Sequence, residues 1–401
     1  MNRLSDCALC SGPSLAEKFM RIIQLTTDNR EAFRLYDKAQ PWFGAAPEAL
    51  LQGFATLPGI EVHVISCAQR RMQAPDKLAK NIWFHSLLVK KSGWLRTGYQ
   101  GCIRAVRSKV RELQPDVVHG QGTERDCALC ATLSSFPNVV TIHGNMVEIY
   151  RLYHRTLGSY YWFAANLENL TLRMTSGVFC NSAYTENLVR PRAKRTWRVP
   201  NAIREAFLSN ATEARPEGTP LIVNVGVISE RKRQVQILEI ADELFRRGYR
   251  FVVHFVGSLD ERSPYGRLFG ERLRVAQASG YAKFAWHLEV QHLVQLFDSA
   301  HAMIHFPSEE AFGLVVAEAL ARNLKLFGSR VGGIPDIANG VEGVDLFESG
   351  DVGELSQALQ KWLEKGFPRP KSAADAIRSR YRPATVAAQH VEIYQQILQK
   401  R

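Results

Sequence analysis

The sequence predicts an α/β protein built as two halves, each around a parallel sheet, that face one another across a central cleft. Three observations carry this. Short apolar runs alternate with helix-spaced stretches along most of the 401 residues, and repeated strand–helix units of this length form parallel sheets. A polar, turn-rich segment, 206–219, with Asn210, Pro216, Glu217 and Gly218, splits the alternation into two sets. The apolar run Ala302–Phe306 passes through Pro307–Gly313 into the helical pattern Leu314–Ala321, a strand-to-helix loop of the kind where open parallel sheets bind ligands.

Composition sets the outer bounds. Hydrophobic residues make up 46% and charged residues 22%, an ordinary globular balance. No apolar run approaches the ~18 residues of a membrane span, and Met1–Pro13 lacks the apolar core of an export signal, so a cytoplasmic protein is expected. The net charge of +12 suits anionic substrates or an acidic lipid surface. No zinc finger, RNA-binding aromatic signature or unbroken basic tract supports nucleic acid as a partner. The seven cysteines are an odd count and are read as reduced thiols. Two C-x2-C pairs, Cys7/Cys10 and Cys127/Cys130, have zinc-like spacing, but the second sits in an apolar helical stretch with no framing His, and no metal is expected.

Residues 1–18 are read as an extension, 19–205 as the first domain, 206–219 as the linker, 220–382 as the second domain and 383–401 as a closing helix. Met20–Thr26 is the first strand, followed by the loop 28–46 with Gly44 among small residues, the helix Glu48–Phe54 and the strand Glu61–Ser66. Within 81–113 aromatic and basic residues mix, and Tyr99, Cys102, Ile103, Val106 and Val110 recur at helical spacing. That segment reads either as a core-packed helix with a solvated basic face or as a patch for an acidic acceptor or an anionic membrane. Pro115–Gly122 and Asn138–Asn145 are strands running into loops, and Met146–Met174 is an aromatic-rich helical stretch. Gly177–Ser182 is the next strand, and Trp197–Ile203 precedes the linker. The second set of strands is read at Leu221–Gly226, Phe251–Gly257, Lys283–His287, Ala302–Phe306, Leu324–Gly328 and Val344–Phe347. Pro383–Ile397 closes the chain, with Val386, His390, Ile393, Tyr394 and Ile397 on one helical face.

Two stretches carry chemistry. Glu310 and Glu318 bracket the strand-to-helix loop with seven residues between them. A helix start offers free amide donors and a partial positive charge, which suit an anion. Gly226–Gln234 places Arg231, Lys232 and Arg233 just past a strand end, a cationic clamp in which Arg supplies a fork and Lys a point charge.

Ser308-Glu309-Glu310-Ala311-Phe312-Gly313 with Glu318, followed by Gly332-Gly333-Ile334-Pro335-Asp336, resembles the E-x7-E signature of retaining glycosyltransferases of the GT-B fold, family 4. The resemblance runs from about Met20 to Leu398 and is most specific between Gly226 and Gly343. It implies two Rossmann-like domains, with the closing helix crossing back to the first. Glu310, His143, Lys232 and Arg231 are then the catalytic set, and Glu318, Gly44, Gly226, Phe312, Gly313, Leu314, Trp286 and His287 hold the donor. Glu318 is expected at the ribose, Glu310 at the transferred sugar, and the Phe312–Leu314 amides and the cations at the diphosphate. The implied partners are a nucleotide-diphosphate sugar, with UDP ahead of GDP, and a glycan, lipid-linked or small-molecule acceptor. No metal or other cofactor is implied, because Arg and Lys neutralise the leaving group. Departures are Gln121 where the family has a second His, Ala202 in place of Gly, Asn323–Leu326 after the signature helix, and Asp336 for Glu. Two alternatives are an epimerase of the same shape, which needs no acceptor, and a non-catalytic basic binding protein on a transferase scaffold.

Overall fold

The computed structural model describes residues 19–153, 156–209 and 218–399. The 1–18 extension and most of the expected linker lie outside them. The first sheet comprises β1 (Met20–Leu25), β2 (Ile60–Ala68), β3 (Lys77–Ala79), β4 (Ile82–Leu88), β5 (Val117–Gln121), β6 (Asn138–Ile142), β7 (Val178–Cys180) and β8 (Thr196–Arg198). Its order is β3-β4-β2-β1-β5-β6-β7-β8, parallel except where β3 pairs with β4. The second sheet comprises β9 (Leu221–Val225), β10 (Val252–Val256), β11 (Ala282–Ala285), β12 (Ala302–His305), β13 (Lys325–Ser329) and β14 (Val344–Phe347), in the order β11-β10-β9-β12-β13-β14 and parallel throughout.

This topology fixes where a ligand can sit. Among the parallel strands of each sheet the order reverses at one place, between β1 and β5 in the first and between β9 and β12 in the second. The loops leaving neighbouring strands diverge there and open a crevice at the strands' carboxyl ends. The four loops at these two crevices are the ones after Leu25, Gln121, Val225 and His305.

Local chemistry adjusts the expected elements. The helix predicted from Glu48 begins at Ala45 with Gly44 as its cap, since Pro47 is tolerated in a first turn whose amides have no intrahelical acceptor. The strand predicted to reach His287 ends at Ala285, leaving Trp286 and His287 in the following loop. The helix in the basic segment starts at Gln100, after two 3-10 turns and a left-handed Tyr99. Phe207 and Leu208, at the start of the expected linker, are buried in the apolar core of the second half.

The closing helix Pro383–Gln399 joins the two halves. Ile203 donates its amide to the Tyr381 carbonyl at 3.0 Å, and the helix then packs on Ala45–Phe54 of the first half. A Cβ on Gly53 would sit 2.1 Å from the Pro383 carbonyl oxygen, so only glycine permits this approach. Deeper along the helix, the Tyr394 hydroxyl meets Nδ1 of His119 on β5 and accepts from the Gln24 amide on β1 at 3.1 Å. His390 stacks on Phe179 with ring centroids 4.6 Å apart.

Burial holds these imidazoles neutral, and pushes His390 and His143 down to about 4. The unfolded chain protonates its histidines near pH 6.5, so their contribution is fully present above that value and drains away as pH falls toward 4. His390→Phe removes one such group while keeping an aromatic ring in place. Relative to wild type it should gain about 2 kcal/mol of stability between pH 7 and pH 5, read from urea midpoints. A difference that stays constant over that range would contradict a neutral His390.

Candidate active site

The signature loop is held on three sides. Ser308 donates its amide to the Arg231 carbonyl at 2.8 Å, and the Ser329 hydroxyl donates to the Pro307 carbonyl at 2.7 Å. From beneath, the Gly333 amide donates to the Glu310 carbonyl at 3.0 Å. A Cβ on Gly332 would lie 1.6 Å from that same carbonyl oxygen, and Gly332 has φ +56°. The Gly332-Gly333 pair is therefore what lets the loop after β13 tuck under Glu310. Gly313, with φ +95°, turns the chain into the helix Leu314–Leu320.

Glu310 is the centre of charge. One of its oxygens is shared by the Lys232 ammonium and by Nε2 of His305, the latter at 3.0 Å. Burial pushes the Glu310 carboxyl up, but the Lys232 charge, the His305 contact and Arg231 outweigh it and hold the group well below the usual carboxylate range. Lys232 rises from the turn after β9, its stem against Gly226. Arg231 turns to the neighbouring carboxylate and donates to the Glu309 carbonyl at 2.7 Å and to its side chain at 3.2 Å. The two expected cations and the two loop carboxylates thus form one paired cluster.

The opposite wall comes from the first half. A cavity of about 310 Å³ is lined there by Gly44–Pro47, Gln121, Glu124 and His143, and on the other side by Glu310 and Phe312–Leu314. His143 meets the Gln121 side-chain oxygen with Nε2 at 2.8 Å, while Gln121 donates to Gln24 at 2.7 Å. That chain places the His143 proton on Nε2 and leaves Nδ1 as a buried acceptor with no hydrogen-bond partner among the described residues. Gln121, which stands where the family has a histidine, therefore orients His143.

Glu318 stands apart from this cavity. It is 3% exposed and paired with Arg204, whose guanidinium nitrogens lie 2.8 and 3.1 Å from one carboxylate oxygen. Burial raises its carboxyl, with Arg204 pulling the other way. Trp286 is 56% exposed at the edge of the cleft, and His287 lies edge-on to Trp42 of the first half at 5.6 Å. Two further bonds cross between the halves. The Ser182 hydroxyl donates to the Ala311 carbonyl at 2.6 Å, and the Ala183 amide donates to Asp336 at 2.7 Å. Asp336 is the residue that stands where the family has Glu.

The structure therefore gathers Glu310, His143, Gly44, Phe312, Gly313 and Leu314 around one cavity, with Lys232 and Arg231 directly behind it. Gly226 supports Lys232, while Glu318, Trp286 and His287 lie outside the cavity lining. Sequence reading missed Glu124, His305 and Arg204. The first two sit at the carboxyl ends of crevice strands, a position that could have flagged them. Arg204 carries no local signal, because its partner is 114 residues away.

Residues 208–380 match the family described as Glycosyl transferases group 1, and residues 48–207 match Glycosyltransferase Family 4. An N-acetyl-alpha-D-glucosaminyl L-malate synthase of Bacillus anthracis is 29% identical over 109 residues, which is 26% of this chain and only 29% of that protein's length. Among solved structures, sucrose-phosphate synthase from Thermosynechococcus elongatus is similar with a TM-score of 0.73 at 16% identity, over 95% of this chain and 100% of that one. Anabaena HepE in complex with UDP-glucose is similar with a TM-score of 0.66 at 16% identity, over 94% and 100%. At such identities the likeness speaks for the fold, two Rossmann-like domains of the GT-B class. The two family matches follow one another along the chain on either side of the cleft, and the chain belongs to the group 1 glycosyltransferases.

Proposed function

We propose that the chain moves a sugar from a nucleotide-diphosphate sugar to an acceptor hydroxyl with retention at the anomeric carbon and without a catalytic metal. The observation that carries this is the paired cluster of Glu310, Lys232 and Arg231 facing neutral His143 across a sugar-sized cavity. In this reading Lys232 and Arg231 turn toward the donor diphosphate and Glu310 holds hydroxyls of the transferred sugar. The bond from the anomeric carbon to the phosphate oxygen breaks, and the acceptor oxygen bonds to that carbon from the same face. The acceptor proton leaves with the diphosphate. Negative charge grows on the leaving group, so fixed cations there lower the barrier. No carboxylate nucleophile enters, in contrast to the two-carboxylate scheme of retaining glycosidases. His143, neutral at pH 7, serves as a hydrogen-bonding partner of the sugar rather than as a cation.

UDP-sugars are the first donors to try, since the HepE relative binds UDP-glucose, and GDP-sugars the next. The acceptor is a glycan, a lipid-linked intermediate or a small molecule taken up on the first-half side. For a lipid-linked acceptor at an anionic membrane the supporting observation is that Leu88 and Leu95 are exposed near exposed Lys90, Lys91 and Arg96 in sequence on that half. Anomeric configuration of the product, read by proton NMR, tests retention. Incubation with donor alone separates transfer from epimerisation, because only an epimerase turns over without an acceptor.

Glu310→Gln should lose most turnover while still binding nucleoside diphosphate, and full transfer activity in that variant would displace Glu310 from the sugar. Lys232→Ala should lower turnover about ten- to a hundredfold, more than it weakens donor binding, because its partner is more negative in the transition state. Initial rates should be nearly unchanged on adding EDTA; loss restored by manganese or magnesium would mean that a metal carries the diphosphate. Sedimentation with liposomes should favour anionic over neutral vesicles, and equal partition would remove the membrane part of the reading.

A further inference from the structure

Behind the first-half wall of the cleft lies a second cluster that the transfer chemistry does not use. Cys67 sits near the end of β2, Cys102 in the first turn of the helix Gln100–Leu113, and Asp126 begins the helix Asp126–Thr132. All three are buried, and their two sulfurs and a carboxylate oxygen lie within 4.8 Å of one another. Cys130 belongs to the same buried cluster and stands one turn beyond Asp126, on the same face of its helix. Its partner in the C-x2-C pair, Cys127, instead sets its sulfur 3.9 Å from the Thr27 hydroxyl. The sequence reading weighs the C-x2-C spacing and expects no metal at Cys127 and Cys130; the three-residue group forms from other residues.

We propose that Cys67, Cys102 and Asp126 form a structural metal site for zinc or a similar thiophilic divalent ion. Thiolate sulfur with one carboxylate oxygen is a donor set suited to zinc. Asp126 supplies a second observation. Its carboxylate is buried, meets the Cys67 and Cys102 thiols as hydrogen-bond partners, and forms no close ion pair with a Lys or Arg among the described residues. The adjacent Arg125 lies over the Trp94 ring at 5.5 Å and reaches the carboxylate only as a nearby charge, not as a bonded partner. A buried carboxylate with no bonded cation is costly, and a divalent ion taking the place of the thiol protons between it and the two sulfurs offsets that cost. Each thiol that coordinates gives up its proton to solvent, so binding is neutral in redox terms and weakens as pH falls.

The site has a structural consequence. It would tie β2, the basic helix and the start of Asp126–Thr132 at one point. The loop leading into that last helix carries Glu124, which lines the cleft. The ion would stiffen the acceptor side of the cavity through that loop.

The test uses the full chain in a Cys7→Ala/Cys10→Ala background, so that the N-terminal pair cannot contribute, and none of its readouts is sugar transfer. Zinc affinity is measured by competition with a chromogenic chelator under reducing conditions, and cobalt substitution reports thiolate ligation through its near-ultraviolet charge-transfer band. The expected result is a single zinc per chain, a thiolate–cobalt band, and a rise in melting temperature with zinc. Cys67→Ala/Cys102→Ala should abolish all three. Asp126→Asn, nearly the same shape, should weaken zinc by roughly tenfold or more and decides the matter if the double variant does not fold. A background chain that takes up no stoichiometric zinc, or zinc affinity unchanged in the double variant or in Asp126→Asn, overturns the proposal.

Discussion

The pairing of Glu310 with Lys232 and His305 is the interaction on which the cleft depends. A carboxylate this deeply buried is tolerable only beside a cation, and an ammonium this enclosed only beside a carboxylate. The sheet brings them together. β9 and β12 are neighbours, in register at Ile222 with Ala302, so the turn after one strand lies against the loop after the other. Residues 78 positions apart in sequence thereby share one oxygen atom and one short path to the cavity. In the proposed reading, a diphosphate and sugar hydroxyls would offer each member of the pair a substitute partner, so the same attraction that orders the cleft is available to bind substrate.

Other contacts keep the two walls opposed. Ser182 and Ala183 hold the far end of the signature loop and Asp336, and the closing helix anchors the second half to β1 and β5 through Tyr394. Arg204, paired with Glu318, sits beside the chain crossing between the halves. The carboxylate that the family resemblance assigns to the ribose is thus already partnered. Glu318 is therefore one half of a buried ion pair rather than a lone acceptor.

Much of this was legible in sequence because the signals were local. Strand–helix alternation gave two parallel sheets, and the loop between Pro307 and Gly313 could be placed on a strand end and a helix start from its own residues. Gly332-Gly333 was readable as part of the motif, although the reason for it, a carbonyl 1.6 Å from a would-be Cβ, exists only in three dimensions. What was not legible were contacts between distant elements. Glu318 reads as a free carboxylate until Arg204 is seen against it, and Gln121 reads as a lost histidine until it is seen holding His143. The cysteines mislead in the same way, since a conspicuous spacing at Cys127 and Cys130 hides the convergence of Cys67, Cys102 and Asp126 from three elements.

The central claim is that this cleft recognises a nucleotide-diphosphate sugar through protein cations alone. The most direct measurement is a thermal-shift titration of the wild-type chain with UDP-, GDP- and ADP-sugars, with EDTA present. A ligand that binds only the folded state at a hundred times its Kd adds about 2.7 kcal/mol, which is a shift of several degrees for a chain of this size. One base should raise the melting temperature in this way, and its bare diphosphate should do so as well. No shift with any of the three at millimolar concentration, or a shift that appears only when a divalent metal replaces EDTA, would contradict the account.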